Sequence, residues 1–194
     1  MARFGSQALA ALGIGMRVLQ IASLPVVGIG IATTTLIGQN LGARERGRVQ
    51  KTAFESIGLC SAIMVVLGFV FFLNAATLVG FFTKHVDVVR IGTEYIRIAS
   101  SYLLFVGLSI SMTGAFRGSG YTLPPMFAAL VKLGLLVASG YIFSETLRMG
   151  VTGIWWALFT SYGIETAIIG VWFSRGTWKL KRVEILEKEE RVRI

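Results

Sequence analysis

The chain has one cysteine, one histidine, three prolines and only ten acidic side chains among its 194 residues. A single thiol, Cys60, excludes an intrachain disulfide and any CxxC metal motif. A single histidine, His85, falls in a loop; it leaves no HExxH string and no serine with a histidine base. No phosphate-cradling P-loop string is present either, and no pair of carboxylates lies close together outside the loops and the tail. No catalytic constellation emerges, and the chain is not read as an enzyme. Charge is scarce as well. Asp, Glu, Lys and Arg make up 15% against 54% hydrophobic residues, with a mean hydropathy of +0.71. That is too little polar surface for a soluble globule, and lipid is the natural solvent.

What the chain has in quantity is long apolar runs. A spanning helix needs about 20 apolar residues at about 1.5 Å rise each. The runs supply helices near 7–38, 52–82, 92–115, 122–144 and 150–174. Barrel strands would alternate apolar and polar over about 10 residues, whereas these segments are continuously apolar. The expected fold is an all-α, polytopic membrane bundle of five helices over residues 1–174, followed by a basic tail over 175–194.

The net charge of +9 is placed for a membrane rather than for nucleic acid. Arg44, Arg46, Arg48 and Lys51 crowd the 38–51 loop, and Arg175, Lys179, Lys181, Arg182, Lys188, Arg191 and Arg193 crowd the tail. The 83–91 and 145–149 loops carry few cations, each offset by Asp87 or Glu145. The positive-inside rule puts the 38–51 loop, the 116–121 turn and the tail in the cytoplasm, and Met1 outside, in a multi-pass plasma-membrane protein. An outside start without a cleavable signal peptide suggests a further helix upstream of Met1. In the tail, Glu184 and Lys188, Glu187 and Arg191, and Glu189 and Arg193 have the i, i+4 spacing of an amphipathic surface helix. Trp178 beside Lys179 and Lys181 reads as an interfacial anchor.

Glycine is abundant, with 23 residues, many of them inside apolar segments. Gly13, Gly15, Gly28 and Gly30 punctuate the first helix, and Gly38–Gly42 and Gly114–Gly118 have GxxxG spacing. In lipid, small residues let helix backbones approach closely, so these glycines imply a tightly packed bundle. The first helix, about 32 residues and about 48 Å long, exceeds a hydrocarbon core of about 30 Å and must tilt, kink or protrude. Pro25 supplies the place for a kink.

Arg17, Lys132 and Glu165 lie inside apolar stretches, where an ionised group costs at least about 2.5–3.5 kcal/mol. They should avoid lipid. Lys132 is about ten residues beyond Thr122, and Glu165 about ten before Arg175, so both lie about 15 Å deep in the last antiparallel hairpin. Opposite charges at one depth invite a pair, either a fixed pin for the hairpin or part of a polar cavity. With Gln20, one turn beyond Arg17, these residues form the candidate site: Arg17, Gln20, Lys132 and Glu165. Ser109, Ser111 and Thr113 can bond their own helix backbone and are weak evidence for a site.

Three strings go further. GQNLGAR at residues 38–44, GAFRGSGYTLPPM at 114–126 and GVTGIWWALFTS at 150–161 resemble the multidrug and toxic-compound extrusion (MATE) family. The resemblance implies helices eight to twelve of a twelve-helix, two-lobe transporter, that is, a carboxy-terminal lobe without its first helix. It implies a secondary antiporter exchanging Na⁺ or H⁺ for small amphipathic or cationic compounds, completed by an amino-terminal lobe, with no other cofactor. It also implies that Gly38, Gly42, Arg44, Arg117 and Gly118 serve packing and loop geometry. The sodium-coupled branch carries an acid about three turns before its Leu-Arg-Gly, where this chain has Leu104, Phe105, Val106 and Gly107. The coupling ion therefore stays open. Two other readings also stay open: a non-transporting membrane scaffold or accessory subunit, and a lipid-linked oligosaccharide flippase of the wider superfamily.

Overall fold

A computed structural model describes residues 5–176 and Trp178. They form α1 (Ser6–Gly42), α2 (Arg46–Gly80), α3 (Val86–Gly118), α4 (Leu123–Tyr141) and α5 (Val151–Ser174), and the described residues contain no strand. All five helices are long and apolar enough to cross a membrane, α4 counted with the π-helical turn Ile142–Thr146 that continues it. The amphipathic pairs read in the tail lie outside the described residues.

Hydropathy found the helices but not their ends. α2 begins at Arg46 and α3 at Val86, about a turn and a half before the expected 52 and 92. Their first turns carry Arg48, Lys51, Asp87 and Arg90, and stay hydrogen-bonded beyond the apolar stretch. Apolarity marks the part of a helix that meets lipid; hydrogen bonding runs on into the headgroup zone. Gly120, at φ +75°, makes the tight turn after α3. Pro124 and Pro125 open α4, where a missing N–H costs nothing. Trp178 departs from the anchor reading. It is fully buried, stacked on Phe173 at 5.0 Å, and its indole N–H donates to the Phe173 carbonyl at 3.2 Å.

The bundle has a tight half and a loose half. α1, α2 and α3 pack on one another, α3 also packs on α5, and α4 is held chiefly through α5. Small residues make the tight half possible. A β-carbon on Gly114 would lie 2.7 Å from the Gly30 carbonyl oxygen, and one on Gly118 would lie 2.6 Å from that of Thr34. Thr34 donates from Oγ1 to the Gly114 carbonyl at 3.1 Å, so the α1–α3 crossing is both close and bonded. The glycines are not equivalent, however. Gly15 meets the Tyr95 ring, whereas Gly13 and Gly28 have nothing within 4 Å of a β-carbon.

Beside Thr34, Thr33 donates to Ser56 Oγ at 2.6 Å, and Ser56 shares a hydrogen bond with Ser111 at 2.8 Å. Three hydroxyls from α1, α2 and α3 thus satisfy one another at a buried junction. Large apolar side chains such as Phe69, Leu73, Leu130 and Val137 point outward and are exposed. Around a bundle in lipid, outward apolar side chains are the solvated ones.

Candidate functional site

Four helices each turn one stripe toward a common trench. On α4, Pro125, Ala129, Leu136 and Gly140 line it, and Lys132 falls on the same stripe at three- and four-residue spacing. On α5 the stripe is Ile154, Leu158, Tyr162 and Glu165. α1 contributes residues from Leu12 to Thr34, and α3 residues from Tyr95 to Arg117. The trench holds two chambers. The larger, about 800 Å³, reaches Tyr141, Ser144 and Glu145 at the π-helical turn and is lined by Tyr95, Tyr102 and Tyr162 among aliphatic side chains. The smaller, about 450 Å³, reaches toward Arg117 and Thr122 and is more polar, with Thr34, Ser109 and Thr113.

Between them lies the ion pair. Lys132 Nζ sits 2.9 Å from Glu165 Oε2 and 4.7 Å over the centre of the Tyr162 ring. Tyr162 belongs to the larger chamber and Glu165 to the smaller, so the lysine, which lines neither itself, links a residue of each. The Glu165 side chain is 7% exposed and that of Lys132 29%. A carboxylate so buried needs a counter-ion, and Lys132 supplies it. Pro25 lies between Ser23 of one chamber and Val27 of the other, so α1 loses a backbone donor at the same divide.

The aromatic side is built from α3 and α5. Tyr102 and Tyr162 stack at 5.0 Å with planes 10° apart, and the Tyr95 and Tyr102 hydroxyls lie 3.4 Å from each other. Thr166, next to Glu165, donates to the Phe105 carbonyl at 3.0 Å and fixes α5 against α3. Tyr162 and Glu165 are one turn apart on the same face. At the wide end, a β-carbon on Gly153 would lie 2.6 Å from the Phe143 carbonyl carbon, so only glycine lets α5 start against the π-helical turn.

The structure brings Lys132 and Glu165 together, in agreement with the depth argument. Gln20 lines the larger chamber. Arg17 is exposed on α1 and lines neither chamber, so the four residues are not one cluster. Sequence reasoning passed over the three tyrosines, although Tyr95 and Tyr102, seven residues apart, share a helix face. Ser109 and Thr113, discounted as backbone-bonding, line the smaller chamber. Among the described residues no three metal-ligating side chains converge. A buried carboxylate beside aromatic faces can bind a cation.

The chain resembles proteins of one kind. It is 25% identical over 185 residues to the probable multidrug resistance protein NorM of Thermotoga maritima, covering 95% of this chain and 40% of that protein. It is 26% identical over 192 residues to the multidrug export protein MepA of Staphylococcus aureus, covering 96% and 41%. The chain therefore spans about two fifths of these relatives. Among solved structures it superposes on MATE in the bent conformation with a TM-score of 0.85 at 24% identity, over 90% of this chain and 39% of that one. It also superposes on an outward-facing multidrug resistance MATE family transporter with a TM-score of 0.85 at 24% identity, over 91% and 40%. These superpositions carry the fold. The MatE family model matches residues 1–142, most of the chain and the span that holds two of the three strings, at 38–44 and 114–126: this chain belongs to the MatE family.

Proposed function

We propose that this chain is one lobe of a secondary antiporter that exports small amphipathic or cationic compounds in exchange for Na⁺ or H⁺, and that an amino-terminal lobe completes its path. The observation that carries the reading is the trench, with an aromatic chamber at one end, a polar chamber at the other and the Lys132–Glu165 pair dividing them. Alternating access needs a mid-membrane site that each side reaches in turn. Among the described carboxylates, Glu165 lies nearest the middle of its helix. The family membership and the names of the relatives support the same direction.

The loose half suits a moving part. α4 and α5 form a hairpin joined to the bundle mainly through α5, while α1 carries Pro25 at the level of the divide. We also place the 38–51 loop, the turn at Gly120 and the tail in the cytoplasm, with the residue-1 end outside, from the distribution of Lys and Arg. The larger chamber then opens outward and the smaller one inward.

The test is ethidium efflux from membrane vesicles of cells carrying the native gene, compared with a deletion strain, under an imposed Na⁺ or H⁺ gradient. Efflux that follows one gradient, disappears with the gene and falls at least tenfold in Glu165→Gln at equal expression is expected. Flux indifferent to both gradients and to the gene contradicts antiport.

A further inference from the structure

We propose that Lys132 is a tethered competitor for organic cations: its ammonium occupies the carboxylate and the aromatic face that an incoming cation would use, and it thereby sets how tightly cationic ligands bind in the trench. This inference rests on the trench being a ligand path.

The geometry makes the competition direct. One ammonium serves both Glu165, at 2.9 Å, and the Tyr162 ring, at 4.7 Å. Tyr102 stacks on Tyr162, and both rings line the larger chamber. These are the attractions an organic cation seeks: a desolvated negative charge and the negative face of an aromatic ring. Glu165 lines the smaller chamber and is 7% exposed, while Lys132, 29% exposed, lines neither chamber but occupies Glu165 Oε2. A cation that takes that oxygen takes the place of Lys132.

Lysine is suited to being displaced. Its ammonium is a point charge on a flexible four-carbon stem, whereas an arginine fork would hold the carboxylate through two bonds. The hairpin has other ties. Phe127 meets Trp172 edge to face at 5.5 Å toward the narrow end, and Gly153 seats against Phe143 at the wide end. The lysine can swing away without freeing α4 from α5.

The experiment is equilibrium binding of tetraphenylphosphonium to the full chain in lipid nanodiscs. Lys132→Met keeps the length of the side chain and removes its charge, and is expected to tighten binding at least tenfold. Glu165→Gln is expected to weaken it at least tenfold, and the double variant to lose the gain. A folded, monodisperse Lys132→Met protein that binds no more tightly than the unsubstituted chain overturns the proposal. If that variant does not fold, the unsubstituted chain decides. Its Lys132 Nζ nitrogen resonance, assigned by its absence in Lys132→Arg, is expected to move with the half-saturation of the probe. A resonance that stays fixed up to the solubility limit of the probe, whether or not the probe binds, overturns the proposal. Because the readout is binding, loss of gradient-driven efflux with this pattern intact would remove the antiport reading and leave this one standing. Efflux without the pattern would do the reverse.

Discussion

The Gly30 carbonyl oxygen lies 2.7 Å from the place a β-carbon on Gly114 would occupy. α1 and α3 touch there backbone to backbone, with no side chain between them that could yield. Gly114→Ala is therefore expected to cost about 1–3 kcal/mol, the range for overpacking a close contact. Gly28→Ala, with open space around it, is expected to change stability by less than about 0.5 kcal/mol. Thermal unfolding of both variants in detergent checks the contrast, and equal midpoints would show that the crossing is looser than described.

Ser56 stands between Thr33 and Ser111 at a junction of three helices. Ser56→Ala removes both contacts at once and is expected to cost about 1 kcal/mol, in line with interhelical hydrogen bonds in membranes. Ser111→Ala is expected to cost less once Ser56 is gone. A double-mutant cycle by SDS unfolding measures that coupling, and strict additivity would contradict the network.

Glu165 and Lys132 should be unequal to lose singly and together. Removing one leaves a charge in a dry site, on the order of 3 kcal/mol, reduced by the water that reaches Lys132. Replacing both with Met removes the charge and most of the penalty. Unfolding midpoints are expected to fall further for Glu165→Met alone than for Lys132→Met with Glu165→Met. The opposite order would make the pair an attraction the fold depends on.

The basic loop and the turn after α3 are expected to lie on one side of the membrane. Cysteines at Arg46 and Thr122, placed in turn in a Cys60→Ala background, should be labelled by an impermeant maleimide from the same face of oriented vesicles, and one at His85 from the other. Thr122 is exposed in the turn after α3, so the reagent can reach it without detergent. Labels at Arg46 and His85 from one face would reverse the charge reading.

The architecture was legible because lipid imposes it: five runs too apolar for water had to be helices that satisfy their own backbone. The Lys132–Glu165 pair was legible for the same reason, since two charges at one depth on neighbouring helices have few other places to go. Arg17 shows the limit of that argument. The cost of burying a charge says what an arginine must avoid, not which neighbour it will have, and the residue lies apart from both chambers. Gly13 and Gly15 are two positions apart and equally small, yet only Gly15 meets a ring, because packing depends on the face a partner helix takes. The π-helical turn at Ile142–Thr146 has no signature in composition. Tyr95 and Tyr102 could have been read from spacing on α3, but aromatic residues in lipid are common enough that spacing alone does not separate a wall from a surface, and Tyr162 lies on another helix.

On the proposed function, water reaches the trench between α1, α3, α4 and α5 while the outward faces meet lipid. Single cysteines in the Cys60→Ala background test it with a cationic, membrane-impermeant thiol reagent. Positions Gln20, Leu136 and Leu158 on the trench are predicted to react at least tenfold faster than Val66, Phe69 and Val137 on the outer face, and to be protected by tetraphenylphosphonium. Equal rates at the two sets, or no protection at the trench positions, would contradict it.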